Sequence, residues 1–164
     1  DNTPSYKKTS IAQLIGRDHM SLLEAVPKKD TFLKPHEEVY IGDGKRDKIH
    51  HVKGKLDPEK LTSTARAEIE FVVKDMLEKN QQRFVDFFNK AQPLSTRMHS
   101  LELLPGLGKK HMWEIIEARD ESPFKSFDDV KKRIKLLPDP KKIIIKRIMS
   151  EILGEEKYML FVER

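Results

Sequence analysis

The chain has 164 residues, 37% hydrophobic and 36% charged. Apolar residues recur periodically among the charges, which excludes wholesale disorder and predicts one moderate core or two small ones. Cysteine is absent, which excludes disulfides, a thiolate nucleophile and cysteine-ligated metal sites. No apolar run approaches the roughly 18 residues of a spanning helix, and no segment resembles a signal peptide. We therefore expect a cytoplasmic protein with no membrane partner.

Positive charge is concentrated in one part of the chain. Lysine and arginine exceed aspartate and glutamate by 32 to 27, which gives a net charge of +5. Residues 131–147 hold eight basic side chains against one acid, Asp139, a local charge of +7. Clustered excess of this kind favours a polyanionic partner such as a nucleic acid.

The first part of the chain, residues 1–61, is predicted to be a β-rich unit. Short apolar stretches alternate with turn formers, and residues 42–44 (Gly-Asp-Gly) separate the stretch 39–41 from a second one that begins at Ile49. This arrangement is typical of a β-hairpin. Several short strands at close spacing predict a small barrel, of the oligonucleotide-binding type common at this size.

The next segment, residues 62–93, is predicted to be a helical connector. The hydroxyl residues 62–64 are suited to capping a helix, apolar residues then follow with helical spacing, and Pro93 ends the pattern. Residues 94–153 are predicted to form a second, helical domain, and residues 154–164 a C-terminal strand that returns to the barrel. The overall prediction is an α+β protein.

The most specific pattern in the sequence is the run LELLPGLGKKHMWEIIEAR, residues 101–119, in which a tight turn separates two predicted helices. Gly106 can adopt positive φ after Pro105, and Gly108 leaves the backbone open at the start of a helix. The amides there lack partners within the helix and lie at its positive end, so a phosphate oxygen is their natural acceptor. The predicted nucleic-acid-binding residues at this turn are Gly106, Leu107, Gly108, Lys109 and Lys110.

A second, related turn is expected later in the chain. Residues 123–134 are predicted to be a connecting helix capped by Ser126, and residues 136–148, LLPDPKKIIIKRI, occupy the place of a second hairpin. Pro140 has no N–H and is suited to starting a helix, which impairs a backbone phosphate site. This hairpin is therefore expected to be structural and to supply Lys141 and Lys142 as phosphate contacts.

The pattern at residues 101–119 resembles the helix-hairpin-helix motif of many repair and recombination proteins. Across residues 61–161, the segments LTSTARAE, RFVDFFNKA, RMHSLELLPGLGKK, SFDDVKKRI and KYMLF resemble an archaeal family of uncharacterised, predicted RNA-binding proteins. The resemblance implies a small oligonucleotide-binding-like barrel joined to a (helix-hairpin-helix)2-like domain. It leaves the choice between RNA and DNA open.

The function expected from these features is non-sequence-specific binding of a nucleic acid through its phosphates, without catalysis or a cofactor. One alternative is a repair nuclease or glycosylase that docks through the hairpin. Asp128 lies near the distance at which such glycosylases carry a catalytic aspartate, although it also follows a capping serine. Another alternative is a protein-interaction module. A protein partner in a larger nucleic-acid complex is also compatible with the expected nucleic-acid binding.

A histidine pair and the tryptophan are further candidate site residues. His50 and His51 could be metal ligands, but neighbouring strand residues face opposite ways and no carboxylate pattern accompanies them. No metal site is therefore predicted. Trp113 could stack on a base, but packing in the core between the two hairpins is the favoured interpretation.

Overall fold

The computed structural model describes residues 10–163, and the first nine residues of the predicted β unit lie outside this range. Three strands form one antiparallel sheet in the order β1-β2-β3, and they span Ala12–Ile15, Leu22–Pro27 and Ile49–Lys55. Residues 16–21 form the loop that joins β1 to β2. The β2–β3 register shifts twice, between Glu24 and Ala25 and between Val26 and Pro27.

The predicted barrel is wrong, because the sheet within residues 10–163 is open and has only three strands. Residues 39–41 form no strand, and residues 28–48 are a long connection between β2 and β3. Some polar groups bond within the loop: the N–H of Gly44 donates to the Tyr40 hydroxyl, and Arg46 donates to the Gly42 carbonyl. Other loop side chains contact the first α-helix, where His36 lies 2.7 Å from Glu68. These short strands are too few to close on themselves.

Helices make up most of the remaining described chain. The α-helices are α1 Ser63–Lys79, α2 Gln81–Lys90, α3 Lys109–Glu121, α4 Phe127–Arg133 and α5 Pro140–Ile152. The predicted caps are confirmed at two of them. The Thr62 hydroxyl accepts the N–H of Ala65 at the start of α1, and the Ser126 hydroxyl accepts the N–H of Asp129 at the start of α4. Within residues 10–163, no helix is both long and apolar enough to cross a membrane.

One buried apolar cluster extends from the sheet through all five helices. Helix α5 lies at its centre, since it is buried on nearly every side, as expected for a helix that is apolar around most of its circumference. The buried isoleucines of this helix are Ile143, Ile144, Ile145, Ile148 and Ile152.

The C-terminal tail, expected as a strand, forms none between residues 154 and 163. It packs instead on helices, with the ring of Phe161 centred 4.9 Å from that of Phe87 on α2. The N–H of Glu163 donates to the carbonyl of His19, beside the β1–β2 turn. The tail therefore approaches the sheet without extending it.

A buried ion pair joins α5 to this tail. Arg147 is 3% exposed, and its Nε donates to Glu151 Oε2 at 2.8 Å. The same guanidinium contacts Glu156 at 2.9 Å, donates to the Leu103 carbonyl at 3.1 Å and also donates to the Tyr158 carbonyl. It thus connects three separate stretches of chain.

Glu151 completes the network from the other side. Its carboxylate accepts the N–H groups of Leu160, Phe161 and Val162 at 2.9–3.0 Å. Both buried charges therefore have hydrogen-bonding partners, which a buried ion pair requires if it is not to destabilise the fold.

Replacing Arg147 with Met should lower the free energy of unfolding by about 3–5 kcal/mol, because Glu151 would keep a buried charge without its counterion. Urea denaturation followed by circular dichroism measures the change. Lys90→Met is the matched control, since it breaks an i,i+4 pair with Asp86 in which the lysine side chain is 78% exposed. If the two variants unfold at the same urea concentration, the buried network does not stabilise the fold.

Candidate nucleic-acid interface

The first hairpin, as we call the segment predicted to form one, contains a 3₁₀ helix, Ser100–Leu103, a short turn, and the start of α3. Buried leucines fix the turn to the core, with Leu104 2% and Leu107 8% exposed. Gly106 has φ of +78°, a conformation that favours glycine, and it lies at the exposed tip. Apolar packing of the two leucines therefore holds the turn in place, while Gly106 at its tip faces solvent.

The start of α3 carries no side-chain cap. Gly108 is the N-cap residue, in an extended conformation, and a side chain added to it would meet nothing within 4 Å. The first helical hydrogen bond runs from the N–H of Met112 to the Gly108 carbonyl at 3.1 Å. The preceding amides, including those of Lys109 and Lys110, have no acceptor within the helix. They therefore open onto solvent at the positive end of α3.

The second hairpin has the opposite chemistry at its helix start. Asp139 is the N-cap of α5, and its carboxylate accepts the N–H of Lys141 at 3.0 Å. Pro140 occupies the first helical position, as predicted from its missing N–H. The protein's own carboxylate thus sits where an external anion would bind, so only the first hairpin is open.

The predicted contact residues have different environments. Lys109, Lys110 and Lys142 are exposed, and Lys109 Nζ lies 3.7 Å from Glu102. Lys141 is turned toward α1, where its Nζ bonds Glu78 at 2.8 Å. The Lys141 charge is therefore already paired.

Leu107 has a structural role in the turn. Its side chain is buried, and its N–H donates to the Leu104 carbonyl at 3.2 Å. Neither group is available to a ligand. Of the predicted turn residues, Gly108 and the two lysines that follow it combine exposure with open donors.

Residues 131–147, the basic segment, carry less positive charge at the surface than their composition suggests. Arg147 is buried against two glutamates. Arg133 donates to the Ser122 carbonyl at 2.8 Å and contacts Asp129 at 3.3 Å. These arginines join α4 to the end of α3 and α5 to the C-terminal tail, so the exposed charge comes from the lysines. Those that remain exposed in residues 131–147 are Lys131, Lys132, Lys135, Lys142 and Lys146.

Trp113 lies in a groove beside the hairpin, and the prediction that it packs in the core is wrong. Its side chain is 57% exposed, whereas the neighbouring Met112 is 5% exposed and takes the core position. The groove has a volume of about 540 Å³, and its lining includes Arg97 and Lys109. The sequence did contain a signal for this exposed position. Trp113 follows Lys109 by four residues, which places both side chains on one face of α3.

The alternative sites have little support from the structure. Asp128, the carboxylate considered for a glycosylase, is an exposed residue in the first turn of α4. Its neighbour Asp129 accepts the N–H of Lys125, and chiefly for that reason the pKa of Asp129 lies below its ordinary value. Neither lies in the groove.

His50 and His51 do not face opposite sides, contrary to the expectation. Their Nδ1 atoms are 2.7 Å apart, because β3 is bulged where these residues pair with β2. Within residues 10–163, no group of three or more histidine and acidic side chains is arranged to hold a metal ion. The pair is therefore an incomplete ligand set.

His99 caps the 3₁₀ helix that leads into the hairpin. Its ring Nδ1 accepts the backbone N–H of Leu101 at 3.1 Å, while the backbone N–H of His99 donates to the Glu102 carboxylate at 2.9 Å. Burial and then the charge of Arg119 lower the pKa of His99, against an opposing effect of Glu102. Protonation at Nδ1 would remove the acceptor, so this cap requires neutral imidazole.

The lowered pKa gives a pH-dependent stability. The unfolded chain takes up this proton more readily than the folded chain, so the contribution of His99 is fully present above the unfolded pKa of about 6.5 and is lost as pH falls from there through the folded pKa. We expect His99→Asn, whose side-chain oxygen can accept the same N–H, to lose less stability than the parent between pH 7 and 5. Urea melts across this range measure the difference, and parallel curves would contradict it.

The comparisons with known proteins agree on one family. The family model "Protein of unknown function (DUF655)" matches residues 1–163. "Uncharacterized protein MJ0038" of Methanocaldococcus jannaschii is 43% identical over 162 residues, which cover 98% of this chain and 74% of that protein.

A solved structure is also similar. The crystal structure of Af1531 from Archaeoglobus fulgidus, described with the DUF655 model, is 40% identical and superposes with a TM-score of 0.87. The match covers 99% of this chain and 91% of that one. With a family model spanning nearly the full sequence and a relative of this identity, the chain belongs to the DUF655 family of uncharacterised archaeal proteins.

Proposed function

We propose that this protein binds a nucleic acid through its phosphate backbone at the start of α3. The observation that carries the proposal is the uncapped helix start at Gly108, where open space, free amide donors and the helix dipole coincide. A phosphate oxygen bound there would accept hydrogen bonds that neither the helix nor a capping side chain provides.

The contrast between the two hairpins supports this assignment. A helix start is ordinarily capped by an oxygen-bearing side chain, as Asp139 caps α5. The sequence places glycine at the equivalent position before α3 and follows it with exposed Lys109 and Lys110. Two adjacent cations and no competing carboxylate cap are suited to an external anion.

The proposed contacts set the mode of recognition. Amide and lysine contacts to phosphates position a protein on a nucleic acid without reading bases, so binding is expected to be independent of sequence. Lys142 is exposed at the start of α5 and is the best placed of the second hairpin's predicted lysines to add a contact. Lys141 contributes only if its bond to Glu78 opens.

Competition between matched DNA and RNA, each as single strand and duplex, decides which nucleic acid is preferred.

The alternative that the hairpins dock a protein helix predicts that binding affinity depends little on salt. Phosphate binding predicts a steep dependence, because condensed counterions are released. Titrations at several salt concentrations therefore separate the two.

Gly108→Asp provides a direct test of the amide site. The extended backbone and the open space at Gly108 accommodate the side chain, and aspartate is a favourable N-cap. Thermal stability should therefore hold or rise, while the carboxylate fills the amide site and repels phosphate. We expect nucleic-acid affinity to fall about tenfold or more, an energy of the size that charge-assisted hydrogen bonds contribute.

Gly108→Asn is the matched control, since it caps the helix with a neutral group of the same shape. It should weaken binding less than Gly108→Asp, as measured by fluorescence anisotropy with a labelled oligonucleotide. If Gly108→Asp binds as tightly as the parent protein, the start of α3 is not the phosphate site.

The second test is the salt dependence of binding in a Lys109→Ala, Lys110→Ala variant. Each lost phosphate contact should flatten the slope of log affinity against log salt by about 0.7 for a single strand or about 0.9 for a duplex. Removing both should flatten it by about twice that amount, equally for unrelated base sequences.

The control is Lys29→Ala, Lys34→Ala, which removes the same charge from exposed positions in the loop between β2 and β3. This pair should leave the slope nearly unchanged. A slope that changes equally in both double variants would mean that net charge, and not the hairpin, governs binding.

A further inference from the structure

The groove beside the hairpin exposes two large apolar side chains in a protein that buries most of its others. Trp113 is 57% exposed and Leu94 is 45% exposed, and both line the groove. Its apolar lining also includes Met112 and Ile116 from α3. Exposed apolar groups gathered in one concave place are typical of a binding site.

The groove is continuous with the proposed phosphate site. Lys109 belongs to the first turn of α3 and also lines the groove, and Trp113 follows it by one turn, about 6 Å along the helix axis. A nucleotide whose phosphate lies at the start of α3 is therefore within reach of the indole ring. The two features can serve one ligand.

The charges of the groove suit a polyanion. Arg97 and Lys109 line it, and the acidic residue among its lining is Glu102. That carboxylate is 18% exposed, accepts the N–H of His99 and lies 3.7 Å from Lys109. Its negative charge is thus partly compensated before a ligand arrives. Glu117, one turn beyond Trp113, is exposed and is not part of the groove lining.

We propose that Trp113 stacks on an unpaired base of a single-stranded nucleic acid whose phosphate is held at the start of α3. This inference rests on the proposed function and adds the form of its ligand. A base within a duplex is covered on both faces by its neighbours, whereas an unpaired base can lay one face on an indole ring. Trp113 therefore selects single strands or duplexes with an unpaired nucleotide beside the bound phosphate.

Trp113 is the sole tryptophan of the chain, so its fluorescence reports on the groove directly. Titration of the full chain with oligothymidylate or oligouridylate should quench this fluorescence in step with binding, which anisotropy of a labelled strand measures independently. A blunt duplex of the same length should bind more weakly and quench less.

Two substitutions separate stacking from a merely structural role. Trp113→Ala should weaken single-strand binding by about 5- to 150-fold, the range that corresponds to loss of one base-aromatic stack. Trp113→Phe should restore most of the affinity. Phe71→Ala is the matched control, because Phe71 is a similarly exposed aromatic residue, 58% exposed, on α1. It should leave affinity unchanged.

The outcomes distinguish this inference from the proposed function. Binding without quenching, together with unchanged affinity in Trp113→Ala, overturns the stacking role and leaves phosphate binding intact. Absence of binding to every strand and duplex overturns both. If Trp113→Ala changes self-association in light scattering and not nucleic-acid affinity, the groove is an interface between copies of the chain, and stacking is likewise overturned.

Discussion

The buried ion pair between Arg147 and Glu151 holds the first hairpin and the C-terminal tail against α5. Through Arg147, α5 bonds the carbonyl of Leu103, the last residue of the 3₁₀ helix before the first hairpin turn. Through Glu151, it binds three consecutive amides of the C-terminal tail. Two buried opposite charges in a low-dielectric core are stable only with these partners in place. The position of the first hairpin is therefore coupled to α5 and to the tail.

The two turns that precede α3 and α5 have different surface chemistry. The second turn is closed by its own aspartate and starts α5 with proline, so it consumes its amide donors internally. The first turn has glycine at the same place and leaves its donors open. The difference depends on the N-cap residue, glycine before α3 and aspartate before α5. A single substitution at Gly108 is therefore expected to give the first turn the closed chemistry of the second.

Helix α3 joins two potential contacts of different physical character. Its first turn offers amides and the charges of Lys109 and Lys110, which attract any phosphate regardless of sequence. One turn later, Trp113 offers an apolar face that only an unpaired base can cover well. Phosphate contacts would provide the affinity common to all nucleic acids, while stacking would discriminate between paired and unpaired strands. The two contributions differ in salt dependence, so they can be measured separately.

Features that depend only on neighbouring residues could be predicted from the sequence. Caps at Thr62 and Ser126, the proline at the start of α5 and the glycine turn before α3 are local hydrogen-bonding and backbone effects, and each lies where the sequence predicted it. The archaeal family was likewise recognisable from short segments of sequence.

Contacts between residues distant in the chain could not be predicted from the sequence and are visible only in the folded protein. The expected barrel does not form, because the described residues supply only three strands and the long loop from β2 to β3 adds none. Arg147 reads as surface charge in the sequence, yet partners distant in the chain make its burial favourable. Trp113 reads as core, yet Met112 takes the buried position and leaves the indole in a groove. Burial and charge pairing depend on long-range packing, which local sequence does not encode.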